Sequence, residues 1–257
     1  QLTKEIIDTI SNKQRTDDTE IFQTSQFKEN ERWILADDEK ISELQLFEEK
    51  CKKKHQSQNL LLFDNDGNND FHKIGEVCEI GNGMVSGLDK AFQLNGEQLT
   101  ETEKQNSINV IKAKDLQTYT YNEITRYIFA NEIKTEDELK SDFPNFYRKL
   151  QSFVPQLKKR YQYNRKINYW EWVFMRNFNL FNSEKPRIFV PCKERISNKD
   201  YFRFVYVEPN IFPTQDVTAI FAKDKTKESL YYILALLNNH RIFNWLKYKG
   251  VVKGNIV

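Results

Sequence analysis

The stretch from Ile80 to Leu94 reads IGNGMVSGLDKAFQL, with three glycines and a lysine inside fifteen residues. It is either a phosphate-cradling loop, which would make the chain a nucleotide enzyme, or a turn that shows side chains to another partner. A dinucleotide loop needs G-x-G-x-x-G between a strand and a helix, and a phosphate loop needs Gly-Lys-Ser or Gly-Lys-Thr. Gly81, Gly83 and Gly87 give G-x-G-x-x-x-G instead, and Lys90 follows Asp89. The residues favour a turn: glycine bends the backbone, and Asn82, Met84, Ser86, Asp89 and Lys90 are expected to project outward.

Outward from the turn, Ile74 onward breaks into short apolar runs punctuated by Gly, Asn and Asp: IGEVCEI, KAFQL, INVIKAKDL and TRYIFA. These are expected strands, as are RIFVPC, FRFVYV and VTAIFA further on. Between the two groups, Phe146, Leu150, Phe153 and Leu157 share one helical face, with Pro155 disturbing the last turn. The C-terminal SLYYILALLNNHRIFNWLKYK is helical and broken near Asn238 and Asn239. Upstream, Ile41, Leu44, Phe47 and Cys51 recur at helical spacing after Asp37 and Asp38, which favour a helix start. The expected class is α+β: a twisted mixed β-sheet with helical N-terminal and C-terminal segments. Residues 1–70 form a helical lead-in and 71–257 the main domain, with the polar turn FDNDGNND at the boundary.

Composition sets the limits. The chain has 257 residues, 39% hydrophobic, 30% charged and 14% aromatic, enough apolar area for a sizeable core and too much for disorder. Net charge is only +2, so a polyanion partner would have to be met by a local patch. Lys158 to Lys166 (KKRYQYNRK), basic and laced with Tyr161 and Tyr163, suits a phosphate backbone, although charge runs also serve as solvated surface. Three scattered cysteines without a C-x-x-C pair, no signal peptide and no run near the roughly 18 apolar residues of a membrane span predict a cytoplasmic protein with no membrane partner.

Catalytic patterns are absent. Asp64, Asp66 and Asn68 begin like a calcium loop, but Gly75 stands where the closing glutamate belongs. Acidic-x-Lys pairs at Glu48 to Lys50 and Glu138 to Lys140 lack the Pro-Asp of a metal-dependent nuclease. There is no G-x-S-x-G and no H-E-x-x-H.

Taken in order, five segments resemble the TaqI-like specificity domains at the C-terminal end of DNA adenine methyltransferases and of fused, type IIG restriction-modification enzymes. They are IGEVCEIGNGMVSGLDKAFQL, INVIKAKDLQTY, FPNFYRKLQSFVPQLKKR, EKPRIFVPCKER and SLYYILALLNNHRIFNWLK, together about Phe71 to Lys249. SQFKENERWILADDE is similar to the stretch leading into that domain. The resemblance implies a bacterial target-recognition domain that reads double-stranded DNA and presents one adenine to a methyltransferase domain of the same polypeptide. It implies no catalytic residue, cofactor or metal in this chain. The Pro-Pro motif that holds the flipped adenine and the glycine loop for S-adenosylmethionine are missing. On this resemblance, and with a start at Gln1, the catalytic part, its S-adenosylmethionine and any magnesium are expected upstream. Lys112, Lys114, Lys158, Lys159, Arg160 and Arg165 are the expected phosphate contacts. Asn82, Ser86, Arg195, Asn198 and Gln215 are expected to read bases, Asn being suited to adenine and Lys to guanine. Two alternatives stay open: a nuclease or nucleotide-binding domain in its own right, and a protein-protein scaffold.

Overall fold

Among the residues that the computed structural model describes, 4–12, 14, 34, 36–52, 74–195 and 199–249, the first helices are α1 (Lys4–Ser11) and α2 (Asp38–Lys52). Asp37 starts α2 as its position predicts, its Oδ1 accepting the Lys40 amide at 2.7 Å. Ile41 and Leu44 are buried and Phe47 half-buried. Glu48 accepts from Trp245 Nε1 at 2.8 Å and from Lys249 Nζ at 3.0 Å. These elements belong to the first of two units, within 1–72 and 244–251; the second lies within 73–243. The turn Phe63 to Asp70 lies outside the described residues.

The second unit runs α3 (Ile74–Val77), β1 (Cys78–Asn82), α4 (Asp89–Phe92), β2 (Gln93–Leu94), α5 (Glu101–Gln105), β3 (Ser107–Ile111), β4 (Thr125–Ile128), α6 (Glu136–Asp142), α7 (Pro144–Gln151) and α8 (Val154–Lys159). It continues with α9 (Phe178–Phe181), β5 (Arg187–Pro191), β6 (Val205–Val207), β7 (Ile211–Pro213), β8 (Val217–Ala222), α10 (Leu230–Leu237) and α11 (His240–Lys249), whose end falls in the first unit. The class is α+β as expected. The strands form two four-stranded sheets: an antiparallel one in the order β1-β8-β5-β6, and a mixed one in the order β2-β4-β3-β7, in which β3 and β7 run parallel.

Several local expectations change. The first halves of IGEVCEI and KAFQL are single helical turns; in the second, Ala91 and Phe92 are drawn wholly into the core and the Ala91 amide closes back on Leu88 O at 3.0 Å. FRFVYV is a strand only from Val205; Phe202 and Phe204 turn inward instead, their rings 6.0 Å apart. Two features follow the sequence closely. The helix from Pro144 breaks after Gln151 and resumes at Val154, with Phe146, Leu150 and Leu157 buried. The C-terminal helix breaks at Asn238, whose carboxamide pairs with the backbone of Phe204: Nδ2 donates to Phe204 O at 2.9 Å, and Oδ1 accepts the Phe204 amide at 3.2 Å. The Tyr119 amide also donates to Phe204 O, at 3.0 Å.

The core is aromatic. Trp172 is 1% exposed, lies 5.8–6.3 Å from the rings of Phe92, Tyr127 and Phe129, and donates from Nε1 to Ile128 O at 2.8 Å. Among the described residues, Glu103 is the one acid with 0% exposure. Thr100 and Glu103 form a reciprocal capping box at the start of α5. The same carboxylate also accepts from the amides of Asn145 (2.7 Å) and Phe146 (3.2 Å) and from Asn145 Nδ2 (2.8 Å), fastening the start of α7. Burial by itself raises its pKa, but these donors outweigh it and the net direction is down. A folded pKa below the unfolded value means stability that is present above the unfolded carboxylate range and lost as pH falls through the folded pKa. Glu103→Gln is therefore expected to cost about 1–3 kcal/mol at pH 7, because Nε2 would face donors. Denaturant midpoints should show the gap to wild type closing in acid; a pH-independent gap would contradict this role.

Candidate nucleic-acid interface

The glycine stretch is the seam between the two sheets. β1 pairs with β8 as far as Asn82 opposite Thr218, and the chain then runs on against the segment joining β7 to β8. The Gly83 amide donates to Val217 O at 2.9 Å, Met84 to Pro213 O at 3.0 Å and Val85 to Phe174 O at 2.9 Å. Only glycine fits at 83, since a Cβ there would stand 2.1 Å from Thr214 O. Gly87 has φ +81 and leaves no room for a Cβ beside Val173. Three successive amides are thus spent on carbonyls, whereas a phosphate cradle needs such amides free. The opening question is answered for a turn, and not a hairpin, because β1 does not pair with β2.

Not every turn side chain faces outward. Asn82 and Lys90 are exposed. Met84 is fully buried and Ser86 is 2% exposed, contrary to expectation: the bridges Met84 to Thr214 and Val85 to Phe174 press this part of the chain into the core. The Ser86 hydroxyl donates to Asp89, whose other oxygen holds the Lys112 ammonium. Lys112 is therefore neutralised in a half-buried pair and not extended to a phosphate. Lys114 is exposed, 3.9 Å from the buried Asp115, whose carboxyl is pushed up by that burial.

Arg160 also departs from expectation. Its guanidinium donates to the carbonyls of Ser86, Asn168, Tyr169 and Glu171 at 2.5–3.2 Å and lies 5.5 Å from the Phe92 ring. Burial lowers its pKa to about 10, so it stays charged at neutral pH. It clamps the glycine turn to the segment after α8, and its donors point inward. Its neighbours Lys158 and Lys159 are exposed and make no ion pair among the described residues.

Around the seam lies an exposed polar rim. Arg165 lies 4.8 Å over the ring of Phe174, which Arg176 flanks at 5.6 Å and Tyr163 at 5.3 Å, with Tyr161 beyond at 69% exposure. Arg176, unmarked in the sequence, donates from Nε to Gly83 O at 3.1 Å. On the other side, Asn82 meets Thr218 and Cys192, and Cys192 Sγ reaches Gln215 O at 3.2 Å. The Gln215 and Arg195 side chains are exposed. The Arg195 amide donates to Glu194, a buried acid that also binds Lys199 and Arg203. Asn198 lies outside the described residues. The structure thus brings Asn82, Gln215, Arg165 and the Arg160-clamped turn together around one seam. Among the described residues, no three His, Cys, Asp or Glu side chains are grouped to hold a metal ion, and no helix is long and apolar enough to cross a membrane.

No protein-family model matches the chain. It is 47% identical over 238 residues to the type II methyltransferase M.HindII of Haemophilus influenzae, a match covering 93% of this chain and 45% of that protein. It is 42% identical to M.HincII of the same species, covering 93% and 44%. To M.MjaIV of Methanocaldococcus jannaschii it is 32% identical over 190 residues, covering 72% and 62%. A solved structure of the type IIL restriction-modification enzyme MmeI in complex with DNA aligns at TM-score 0.46 and 9% identity, covering 78% of this chain and 25% of that one. A likeness that loose decides nothing. The chain spans about half the length of the curated relatives it matches, and along nearly all of its own length it is homologous to type II methyltransferases.

Proposed function

We propose that this chain is the sequence-reading module of an adenine-specific DNA methyltransferase or restriction-modification enzyme. The observation that carries this reading is the homology of 93% of the chain to less than half of two type II methyltransferases. Separate chemistry in the remainder of such an enzyme accounts for the division. The methyl donor S-adenosylmethionine would be held there, since the Gly83, Met84 and Val85 amides of the glycine-rich turn are spent on carbonyls. The module's part is to grip duplex DNA and offset the cost of flipping a base, a few kcal/mol, only at the right sequence. The exposed cations Lys90, Lys114, Lys158, Lys159 and Arg165 would take phosphates. Asn82 and Gln215, held on a seam that backbone bonds keep rigid, would face base edges.

Fluorescence anisotropy of the chain with duplex DNA at graded salt tests this. Binding should weaken steeply as salt rises, with no methyl transfer by the chain alone. Lys158→Ala and Lys159→Ala together should lower the slope of log affinity against log salt by about one unit for each lost contact, equally for every duplex sequence. No binding at low salt would overturn the reading; a slope unchanged by both substitutions would remove these lysines from the interface.

A further inference from the structure

Asn82 is the exposed polar residue of the seam whose side chain is already half committed. Thr218 Oγ1 donates to Asn82 Oδ1 at 2.9 Å, and Cys192 Sγ lies 3.7 Å from the same oxygen. The backbone beneath is fixed as well: the Asn82 carbonyl accepts from Asn177 Nδ2 at 3.0 Å, and the register places Asn82 opposite Thr218 in the β1 to β8 ladder. Cys192 lies close to Thr218 Oγ1, at 3.1 Å, and is itself held by its amide to Asp216 O at 2.8 Å. The Asn82 Nδ2 group has no partner among the described residues. A carboxamide reads adenine by accepting from N6 and donating to N7 at once, which needs oxygen and nitrogen presented together. With its oxygen turned sideways to Thr218 on the neighbouring strand, Asn82 presents Nδ2 outward more readily than both groups at once.

We propose that Thr218, backed by Cys192, is a positioning residue that holds the Asn82 carboxamide oxygen against β8, so that the turn offers DNA N–H donors and selects an acceptor-bearing base edge. Among major-groove edges guanine presents two acceptors, O6 and N7, and no donor beside them, so guanine is the base chosen. This rests on the DNA-recognition reading, and it names what one position of the site contains. Thr218 acts through Asn82 and touches no base.

Enrichment of bound duplexes from a randomised pool, followed by sequencing, provides the test. Wild type should enrich a motif in which one position is guanine, by about tenfold over the other bases. Asn82→Asp keeps the bond from Thr218 but turns an acceptor outward, so preference at that position alone should move to cytosine, whose N4 donates. Thr218→Val frees the carboxamide to rotate and should relax that position while leaving the rest of the motif intact, and Thr218→Ser should restore it. An Asn82→Asp motif identical to wild type would mean that the oxygen already faces outward, and would overturn the proposal. A wild-type pool with no motif at all would instead overturn the recognition reading beneath it. Far-ultraviolet dichroism and thermal midpoints on each variant separate either outcome from misfolding.

Discussion

Gly83→Ala is expected to destabilise the chain by more than about 3 kcal/mol, the upper range for overpacking in a closed site. The added Cβ would lie 2.1 Å from Thr214 O and 2.6 Å from both Pro213 O and Thr214 C. These are backbone atoms, so no side-chain rotation relieves the clash. Moving the 213–214 segment away would break the bond from Met84 N to Pro213 O, which ties the turn to β7 of the mixed sheet, and disturb that from Gly83 N to Val217 O, which extends the pairing of β1 with β8. Gly75→Ala is the matched control: nothing lies within 4 Å of its Cβ position, and it sits in a helical turn, where alanine is favoured by about 0.5–1 kcal/mol. Urea denaturation of the three proteins gives the comparison. A Gly83→Ala midpoint within about 1 kcal/mol of wild type would show that the seam yields more easily than its geometry implies.

Arg160→Met should cost about 2–3 kcal/mol, because one substitution strips the shared donor from several partly buried carbonyls. Methionine keeps an apolar stem near Phe92 but leaves the carbonyls of Ser86, Asn168, Tyr169 and Glu171 without their donor. A buried carbonyl left without a partner costs about 1–3 kcal/mol; here the bonds to Ser86, Tyr169 and Glu171 are partly buried and that to Asn168 is exposed, so water and relaxation keep the sum well below full additivity. Arg160→Lys should fall between, since an ammonium has three donors and no planar fork. The decisive comparison is with Lys158→Ala. The lysine variant should keep its denaturation midpoint and lose salt slope in DNA binding, whereas folded Arg160→Met should keep its slope and lose stability. The reverse pattern would return Arg160 to the phosphate contacts.

This contrast shows where the sequence stops being legible. Lys158, Lys159 and Arg160 are consecutive cations at the end of one helix, and nothing local distinguishes the residue that turns inward; its four acceptors come from Ser86 and from 168–171. The strands from Cys78 and Val205 were readable as short apolar runs between turn residues, though not where each begins. Their division into two sheets was not, because β1 finds its partner at 217–222, far along the chain. β7, Ile211–Pro213, is too short to carry a period. Breaks at Gln151 to Val154 and at Asn238 were legible because proline and paired asparagines punctuate locally. The capping box of Thr100 and Glu103 stands openly in the sequence as T-x-x-E, but the further role of Glu103 at Asn145 depends on packing alone. At the turn, glycine spacing excluded a phosphate loop. Which side chains face out was set by bridges to Thr214 and Phe174, and so Met84 and Ser86 could not be told from Asn82.

The carboxamide of Asn238 stands where another strand would otherwise dock. β6 is one of the two outer strands of the antiparallel sheet, and an outer strand offers unpaired amides and carbonyls to any extended chain that meets it. Asn238 copies the donor and acceptor of a peptide unit and binds Phe204 from both sides, while Tyr119 takes the second lone pair of the same carbonyl. At the entrance to β6 the ladder is therefore already closed by the molecule's own side chain and backbone. An extended chain approaching β6 is refused pairing at Phe204, and the refusal comes from the same asparagine that ends a helix.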